Sequence, residues 1–258
     1  MTVIEGTGTP ESHWLPWLDT AGWREAVPPR PPSGRRPRAT VLAAHPDDEV
    51  LGAGGLLRLL SRAGWLVDVV WASDGEASHP GSRAVSPADL ARRRRQESWR
   101  ARAELGLSGA ATWLALPDSG LAPHEDRLLE AVHGLLGRTP TDLLLAPWSG
   151  DGHPDHEVCG RVARVLGRRH RVPVWELPIW AWHWGDRDRL APGWSHARLV
   201  ALDEDARQAK ADAVEAFVSQ VRPVGTEPAD APVLPAHVLA RFARPVEVVL
   251  CTGGSVRS

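Results

Sequence analysis

The chain has 258 residues, a formal net charge of −2 and 43% hydrophobic residues. A chain of this size and composition can bury one large core, and its near-neutral charge gives no indication of a nucleic-acid partner. Its two cysteines, Cys159 and Cys251, form neither a metal-binding pair nor a disulfide framework, which is typical of a cytoplasmic protein. We expect no signal peptide in Met1–Glu5 and no transmembrane helix, because no apolar run approaches about 18 residues.

The first 37 residues are predicted to form an N-terminal extension to a single domain at residues 38–258. The segment Pro28–Gly34 is rich in proline and glycine, so it should form neither helix nor strand. Trp14, Trp17 and Trp23 give the extension apolar side chains with which it can lie against the surface of the domain.

From residue 38 onwards, short apolar runs of the strand type alternate with patterns of helical spacing. The predicted elements are strand 39–44, helix 48–62, strand 66–72, helix 87–105, strand 112–116, helix 125–137, strand 142–147, helix 155–168, strand 172–177, strand 197–202, helix 203–220 and strand 246–250. This alternation predicts βαβ units with right-handed crossovers. The expected fold is a Rossmann-like, doubly wound α/β fold with a mainly parallel sheet of order 3-2-1-4-5, C-terminal strands beyond it and helices on both faces.

The sequence AHPDDE, Ala44–Glu49, joins the first predicted strand to the first helix of this domain. A helix N-terminus favours acidic residues through its free N–H groups and its dipole, which accounts for one Asp. It does not account for a His with two adjacent acids. His45 and Asp48 are of types that bind zinc and can face one ion from a strand-to-helix turn. Asp47, between them, is left free to accept a proton.

The sequence HPDHE, His153–Glu157, follows the fourth predicted strand and opens the next helix. The alternative to a functional motif is a capped helix start with solvated histidines. In the order 3-2-1-4-5, the first and fourth strands are neighbours at the switch point, where ligand sites open beyond the carboxyl ends of the strands. Since both motifs lie at carboxyl ends, we predict that they form one metal site.

The predicted metal ligands are His45, Asp48 and His156, because catalytic zinc sites typically have three protein ligands and keep one position for water. This set of nitrogen and oxygen atoms suits Zn²⁺, although Fe²⁺ or Co²⁺ can replace it. The implied reaction is the attack of water on an amide carbonyl through a tetrahedral intermediate.

Three further residues have predicted roles in proton transfer. Asp47 is the predicted base that takes a proton from water. His153 is predicted to stabilise the oxyanion or to protonate the leaving amine. Asp155 is predicted to fix the tautomer and orientation of His153.

These motifs resemble those of the LmbE-like (PIG-L) family of zinc-dependent de-N-acetylases. Lesser features also agree, and they are Ser73-Asp74-Gly75 after the second strand, Arg94 to Glu97 followed by Leu105-Gly106, Asp118-Ser119-Gly120 after the third strand, and a late helix with Lys210 that ends in Ser219-Gln220. The resemblance covers about residues 38–250. It implies removal of an acetyl group from an N-acetylglucosamine unit on a lipid, a thiol conjugate or an antibiotic precursor, with the metal and base roles given above.

In sugar-processing members, the helix Arg and the Asp of Asp-Ser-Gly bind sugar hydroxyls, which implies substrate-binding roles for Arg94 and Asp118. The alternative for Arg94 is a solvated basic helix face, since it lies within the run Arg92–Arg95. Some members carry a Tyr two residues before the first His of the second motif, and here that position is Asp151 in a chain without Tyr.

Two alternatives to a deacetylase remain open: an amidase that cleaves a larger acyl or thiol-conjugate amide, and a zinc-retaining binding protein without catalysis. The expected partner is a small-molecule amino-sugar conjugate, not nucleic acid, and a homo-oligomer is left open. Trp180, Trp182 and Trp184 either floor a sugar pocket or belong to core or subunit-interface packing.

Overall fold

The computed structural model describes residues 6–30 and 33–252. Residues 1–5, where we expect no signal peptide, lie outside the described residues, as do residues 31 and 32 of the proline-rich segment and residues 253–258. The strands are β1 (Arg24–Glu25), β2 (Arg38–Ala43), β3 (Leu66–Trp71), β4 (Ala111–Trp113), β5 (Leu143–Pro147), β6 (Val174–Leu177), β7 (Ala197–Ala201) and β8 (Val246–Thr252). The helices are α1 (Glu11–Thr20), α2 (Asp48–Arg62), α3 (Pro87–Glu104), α4 (Glu125–Arg138), α5 (Pro154–His170), α6 (Ala181–Trp184), α7 (Arg187–Leu190), α8 (Glu204–Glu215), α9 (Val218–Val221) and α10 (Ala236–Leu239). Within the described ranges, no helix is both long and apolar enough to cross a membrane.

The described strands form one eight-stranded sheet in the order β1-β7-β8-β6-β5-β2-β3-β4. Its parallel part, β4-β3-β2-β5-β6, is the predicted order 3-2-1-4-5. β8 runs antiparallel between β6 and β7 and supplies the C-terminal part of the sheet. The predicted fold class, a mainly parallel α/β fold, is therefore confirmed.

The central strands β2 and β5 are buried along almost their whole length, because helices cover both faces of the sheet. On one face, α2, α3 and α8 contribute to a core that includes Leu57 and Leu105. On the other face, α4 and α5 contribute to a core that includes Val132 and Leu166. Since β2 and β5 are adjacent and parallel, the segments that follow them open at the same edge of the sheet.

The predicted late helix 203–220 is divided into α8 and α9 in the structure. The chain turns at Phe217, which is buried and has a non-helical ψ of 58°. After the turn, the backbone N–H and the hydroxyl of Ser219 donate to the buried Glu97 carboxylate of α3, at 2.8 and 2.7 Å. Lys210 of α8 is also buried and lies 2.7 Å from Glu247 of β8. These long-range contacts interrupt a sequence pattern that is otherwise helical.

The N-terminal extension contains a helix and a strand that the sequence pattern did not reveal. Trp14 and Trp17 of α1 are buried, and the Trp14 indole N–H donates to the carbonyl of Trp182 at 3.0 Å. β1 pairs in parallel with β7 at the edge of the sheet. The described part of the extension therefore packs against the sheet and its C-terminal elements, and the boundary between residues 37 and 38 remains a prediction.

Candidate metal centre and active site

The turn between β2 and α2 brings His45, Asp47 and Asp48 to the carboxyl end of β2. The Asp48 carboxylate accepts the backbone N–H of His45 at 2.8 Å, which closes the turn on itself. Asp47 has a φ of 115°, a backbone conformation that non-glycine residues rarely adopt. Such strain persists only where the surrounding contacts hold it, and it is often found at functional sites.

His45, Asp48 and His156 lie together and can offer three ligand atoms within 4.8 Å of one another. His45 Nδ1 is 3.6 Å from one Asp48 carboxylate oxygen, and His156 Nε2 is 3.1 Å from the other. His156 Nε2 is buried, yet it has no hydrogen bond to any of the residues that the structure describes. A buried ring nitrogen without a hydrogen bond is costly, whereas a cation between these three side chains would bind it. The three residues therefore fit the metal site predicted from the sequence.

The other ring nitrogen of each histidine faces a carboxylate. His45 Nε2 lies 3.1 Å from Asp118 and 3.4 Å from Asp155. His156 Nδ1 lies 2.7 Å from Asp151. Histidine ligands usually have such a partner, which fixes the tautomer so that the remaining nitrogen faces the metal.

Asp151 is a site residue that the sequence did not single out for this purpose. Its buried carboxylate accepts the backbone N–H groups of Ile179, Trp180 and Ala181 at 2.8 to 3.0 Å. The segment after β6 therefore holds Asp151 in place while it contacts His156. The only sequence signal is an acid in the loop just before the second motif.

Asp118 and Asp155 both lie close to His45, and the three also form a second group of potential metal ligands. Asp118 accepts the backbone N–H of Ala77 at 2.8 Å, and Asp155 accepts that of Leu121 at 3.0 Å. A single ion can bind only one of these two groups, because they share His45. We favour the first group, because only this group gives the buried Nε2 of His156 a partner. In this arrangement Asp118 would orient His45, and its contact with substrate remains a prediction.

The pKa values of the two histidines reflect their attraction to the nearby carboxylates. Burial alone would lower the pKa of His45, but Asp118, Asp155 and Asp48 raise it well above its usual value. Burial likewise opposes a charge on His156, yet Asp48 and Asp151 raise its pKa to about 9. The same carboxylates that stabilise protons on these rings would stabilise a divalent cation in their place.

Asp47 lies beside this group, and its contacts suit a proton acceptor. Burial raises the pKa of Asp47 to about 7, against the opposing effect of Arg94. Arg94 Nη2 donates to the Asp47 carboxylate at 2.9 Å and also to the carbonyl of Pro46, while Nη1 donates to the carbonyl of Gly75 at 2.9 Å. A general base is most effective when its pKa is near the working pH.

Arg94 is 3% exposed and therefore does not lie on a solvated basic face. Gly75 leaves room for it, because a Cβ at Gly75 would come within 2.0 Å of the guanidinium. The described contacts of Arg94 position Asp47. Arg94 also lines the cavity described below, and its contact with substrate remains a prediction.

His153 caps the start of α5, where Nδ1 accepts the backbone N–H of Asp155 at 3.3 Å. Its ring centroid lies 5.0 Å from that of His45 and 4.6 Å from that of His156. Burial and the nearby His156 and His45 rings lower its pKa to about 3. The Asp155 carboxylate, which we expected to orient His153, instead contacts His45 and Leu121, because the first turn of α5 directs it towards the loop after β4.

A cavity of about 290 Å³ opens over this group of residues. Seven of the eight predicted site residues line it, namely His45, Asp47, Asp48, Arg94, Asp118, His153 and Asp155, and the eighth, His156, is completely buried. Trp180 also lines the cavity, whereas Trp182 packs in the core against Trp14 and Trp194. Trp182 is therefore a core residue, whereas a role of Trp180 in a sugar pocket remains a prediction.

An α/β fold with a His–Asp–His group at the switch point, beside a carboxylate whose pKa is near neutrality, is typical of metal-dependent hydrolases. A sequence model of the GlcNAc-PI de-N-acetylase family, PIG-L, matches residues 40–166. A 1D-myo-inositol 2-acetamido-2-deoxy-alpha-D-glucopyranoside deacetylase of Mycobacterium sp. strain KMS is 30% identical to the chain, over 74% of each protein.

Among solved structures, a deacetylase from the biosynthesis pathway of teicoplanin has a TM-score of 0.65 and 20% identity, and the match covers 86% of this chain and all (100%) of that one. The 4-carboxy-2-hydroxymuconate hydratase of Pseudomonas putida has a TM-score of 0.59 and 16% identity, over 86% of this chain and 98% of that one. At these identities the likeness shows the fold alone, and the fold accommodates more than one activity.

The chain belongs to the PIG-L family. The predicted family and the predicted enzyme class, a de-N-acetylase that hydrolyses amide bonds, are thereby confirmed.

Proposed function

We propose that this enzyme removes the acetyl group from an N-acetylglucosamine-type conjugate, with zinc as its metal. The observation that carries the proposal is the buried Nε2 of His156, which has no hydrogen bond and faces Asp48. The named activity of the mycobacterial relative, which deacetylates an inositol conjugate of 2-acetamido-2-deoxyglucose, supports the substrate class. The expected partner is accordingly a small amino-sugar conjugate.

His45, Asp48 and His156 would hold the ion. When bound, zinc supplies a Lewis acid that polarises the amide carbonyl and lowers the pKa of water towards 7. Asp118 and Asp151 orient the two histidines from behind, so that each ring keeps one nitrogen for the metal.

Asp47 takes the proton from the attacking water. Arg94 keeps the Asp47 carboxylate in place, and the buried surroundings keep its pKa close to neutrality. A proton acquired by Asp47 can then pass to the nitrogen of the leaving amine. His153, whose lowered pKa of about 3 favours the neutral ring and whose ring centroid lies 5.0 Å from that of His45, would contact the developing oxyanion.

Acetate release from N-acetylglucosaminides tests the activity, with each variant compared to a matched control. We expect Asp47→Asn to retain zinc and to lose roughly 10²- to 10⁴-fold in turnover, the usual contribution of a general base. The exposed Asp19→Asn serves as its control. Asp47→Asn with parental turnover would refute the role of Asp47.

Metal content tests the ligand set. We expect His156→Ala to lose zinc, and the exposed His196→Ala to keep one ion per chain, as measured by elemental mass spectrometry. Full zinc occupancy in His156→Ala would exclude this residue as a ligand. Reconstitution with Fe²⁺ or Co²⁺ establishes which ion supports the highest turnover.

A further inference from the structure

The cavity over the metal group is lined by both polar and apolar side chains. The polar lining includes predicted site residues and also Ser78, Ser119, Gln220 and His237. The apolar lining includes Leu51, Trp180, Val233, Leu234 and Val238. We refer to these five residues as the apolar wall.

The apolar wall begins directly beside the metal group. Leu51 lies three residues after Asp48 in α2, so both side chains are on the same face of that helix. Trp180 follows β6, and its backbone N–H is bound by Asp151, which contacts His156. A ligand that reaches the metal group is therefore within reach of the wall.

Three residues of the apolar wall, Val233, Leu234 and Val238, come from the C-terminal segment 232–238. This segment is held by a backbone hydrogen bond and by burial. The backbone N–H of Leu234 donates to the carbonyl of Gln220 at 2.9 Å. Val238 is buried in α10, whereas Val233 lines the cavity and is half-buried. The wall is thus a preformed surface, of which Val233 is the most exposed residue.

The N-terminal extension also reaches this cavity through Gly6. Arg241 holds the adjoining residues, since its guanidinium donates to the carbonyls of Thr7 and Thr9 at 2.7 and 2.9 Å. The segments 6–9 and 232–238 both lie outside residues 40–166, which the family model matches. The matched region contains the predicted metal ligands, the predicted base and Leu51, whereas Gly6 and most of the segment 232–238 line the cavity from outside that region.

We propose that the apolar wall binds an apolar substituent of the substrate, carried either by the aglycone of the amino sugar or by the acyl group. This inference rests on the proposed amide hydrolysis and narrows its substrate class. A polyol placed against the wall would lose water from its hydroxyls without gaining hydrogen bonds, at a cost for each group. A cavity of about 290 Å³ is close to the lower end of the roughly 300–1,000 Å³ of ligand pockets, which leaves room beyond an acetamido group.

Two series of substrates test the proposal with the zinc-loaded, full-length enzyme. One series varies the aglycone from methyl to butyl to hexyl N-acetylglucosaminide. The other keeps the methyl glycoside and varies the acyl group from acetyl to butanoyl to hexanoyl. We expect kcat/KM to increase about two- to fourfold per methylene in one of the series, mainly through KM, because that is the range set by burying a CH₂ group.

Val233→Asp and Val27→Asp are a matched pair of variants. Val27 is 77% exposed and does not line the cavity, so its replacement should preserve the dependence on chain length. Val233→Asp should bring the ratio of kcat/KM between the hexyl and the methyl substrate close to one. Thermal unfolding of both variants verifies that they are folded.

The outcomes separate the two proposals. An increase of kcat/KM with chain length in the aglycone series shows that the apolar wall binds the aglycone. An increase with chain length in the acyl series shows that it binds the acyl group. Measurable hydrolysis that is independent of chain length in both series would overturn the apolar wall and leave the deacetylase proposal intact. If no glycoside is hydrolysed, the proposed function fails. The binding role of the apolar wall is then tested by calorimetric titration with the hexyl and the methyl glycoside, and equal affinities for the two would refute that role.

Discussion

Glu49 is the last acid of the first motif, and its replacement by Gln should change how stability depends on pH. The side chain is 1% exposed. One carboxylate oxygen accepts the backbone N–H of Asp47 and the indole N–H of Trp71, both at 3.2 Å, whereas the other has no hydrogen bond. Burial, followed by the nearby Asp47 charge, raises the pKa of Glu49 from its ordinary 4.5 to about 8, although the backbone contact opposes this.

The direction of the effect follows from proton binding. Between pH 4.5 and about 8, the folded chain keeps the Glu49 proton and the unfolded chain has lost it. The folded state binds more protons in this window, so the free energy of unfolding falls as the pH rises. At about 1.4 kcal/mol per pH unit, the total loss is on the order of 5 kcal/mol. Below pH 4.5 the contribution is fully present, and above about pH 8 it is gone.

Urea unfolding of the metal-free chain at pH 5, 7 and 9 measures this loss, with the fluorescence of the 13 Trp residues as the signal. Glu49→Gln cannot ionise, so it should lack the decrease and exceed the parent in stability at pH 9. The exposed Glu104→Gln should follow the parent at every pH. A Glu49→Gln profile that runs parallel to the parent profile from pH 5 to 9 would refute the reasoning.

Three further predictions concern the residues around the metal group and the extension. Asp151→Asn should weaken zinc binding by roughly 10- to 100-fold, because the charged partner of His156 is lost. A zinc affinity equal to that of the parent, measured by competition with a chelator, would contradict this. Arg94→Gln should shift the acidic limb of the kcat/KM profile to higher pH, because Arg94 lowers the pKa of Asp47, and an unshifted limb would exclude this positioning role. Trp14→Ala should cost about 3–5 kcal/mol of stability, since Trp14 is completely buried, and a parental unfolding midpoint in urea would show that α1 is not part of the cooperative fold.

The strand order and the meeting of the two motifs could be predicted because both depend on local patterns. Buried parallel strands are continuous apolar runs, and α2 begins at Asp48 and ends at Arg62 as its helical spacing predicts. The first and fourth predicted strands are β2 and β5 of the structure, and they are neighbours. The two motifs that follow these strands must therefore meet at their carboxyl ends. The meeting of His45, Asp48 and His156 could thus be predicted from the sequence.

The features that could not be predicted depend on contacts between distant residues. The turn at Phe217 follows from the contact between Ser219 and Glu97, which are far apart in the chain. Asp151 acts through backbone N–H groups of a segment about 30 residues later, which no residue pattern encodes. α1 has Pro16 within it and only a short run of helical spacing, so tertiary burial of its Trp side chains outweighs its weak local preference.

The division of the cavity between the central region and the two ends of the chain has an evolutionary consequence. The residues that would perform hydrolysis lie within the part that the family shares, and the segments 6–9 and 232–238 lie outside it. Changes in these terminal segments can therefore alter which molecule is accepted while the reaction itself is preserved. Grafting the two segments together onto a relative, with Arg241 and Gln220 that contact them, is a direct route to a chimaera with exchanged selectivity.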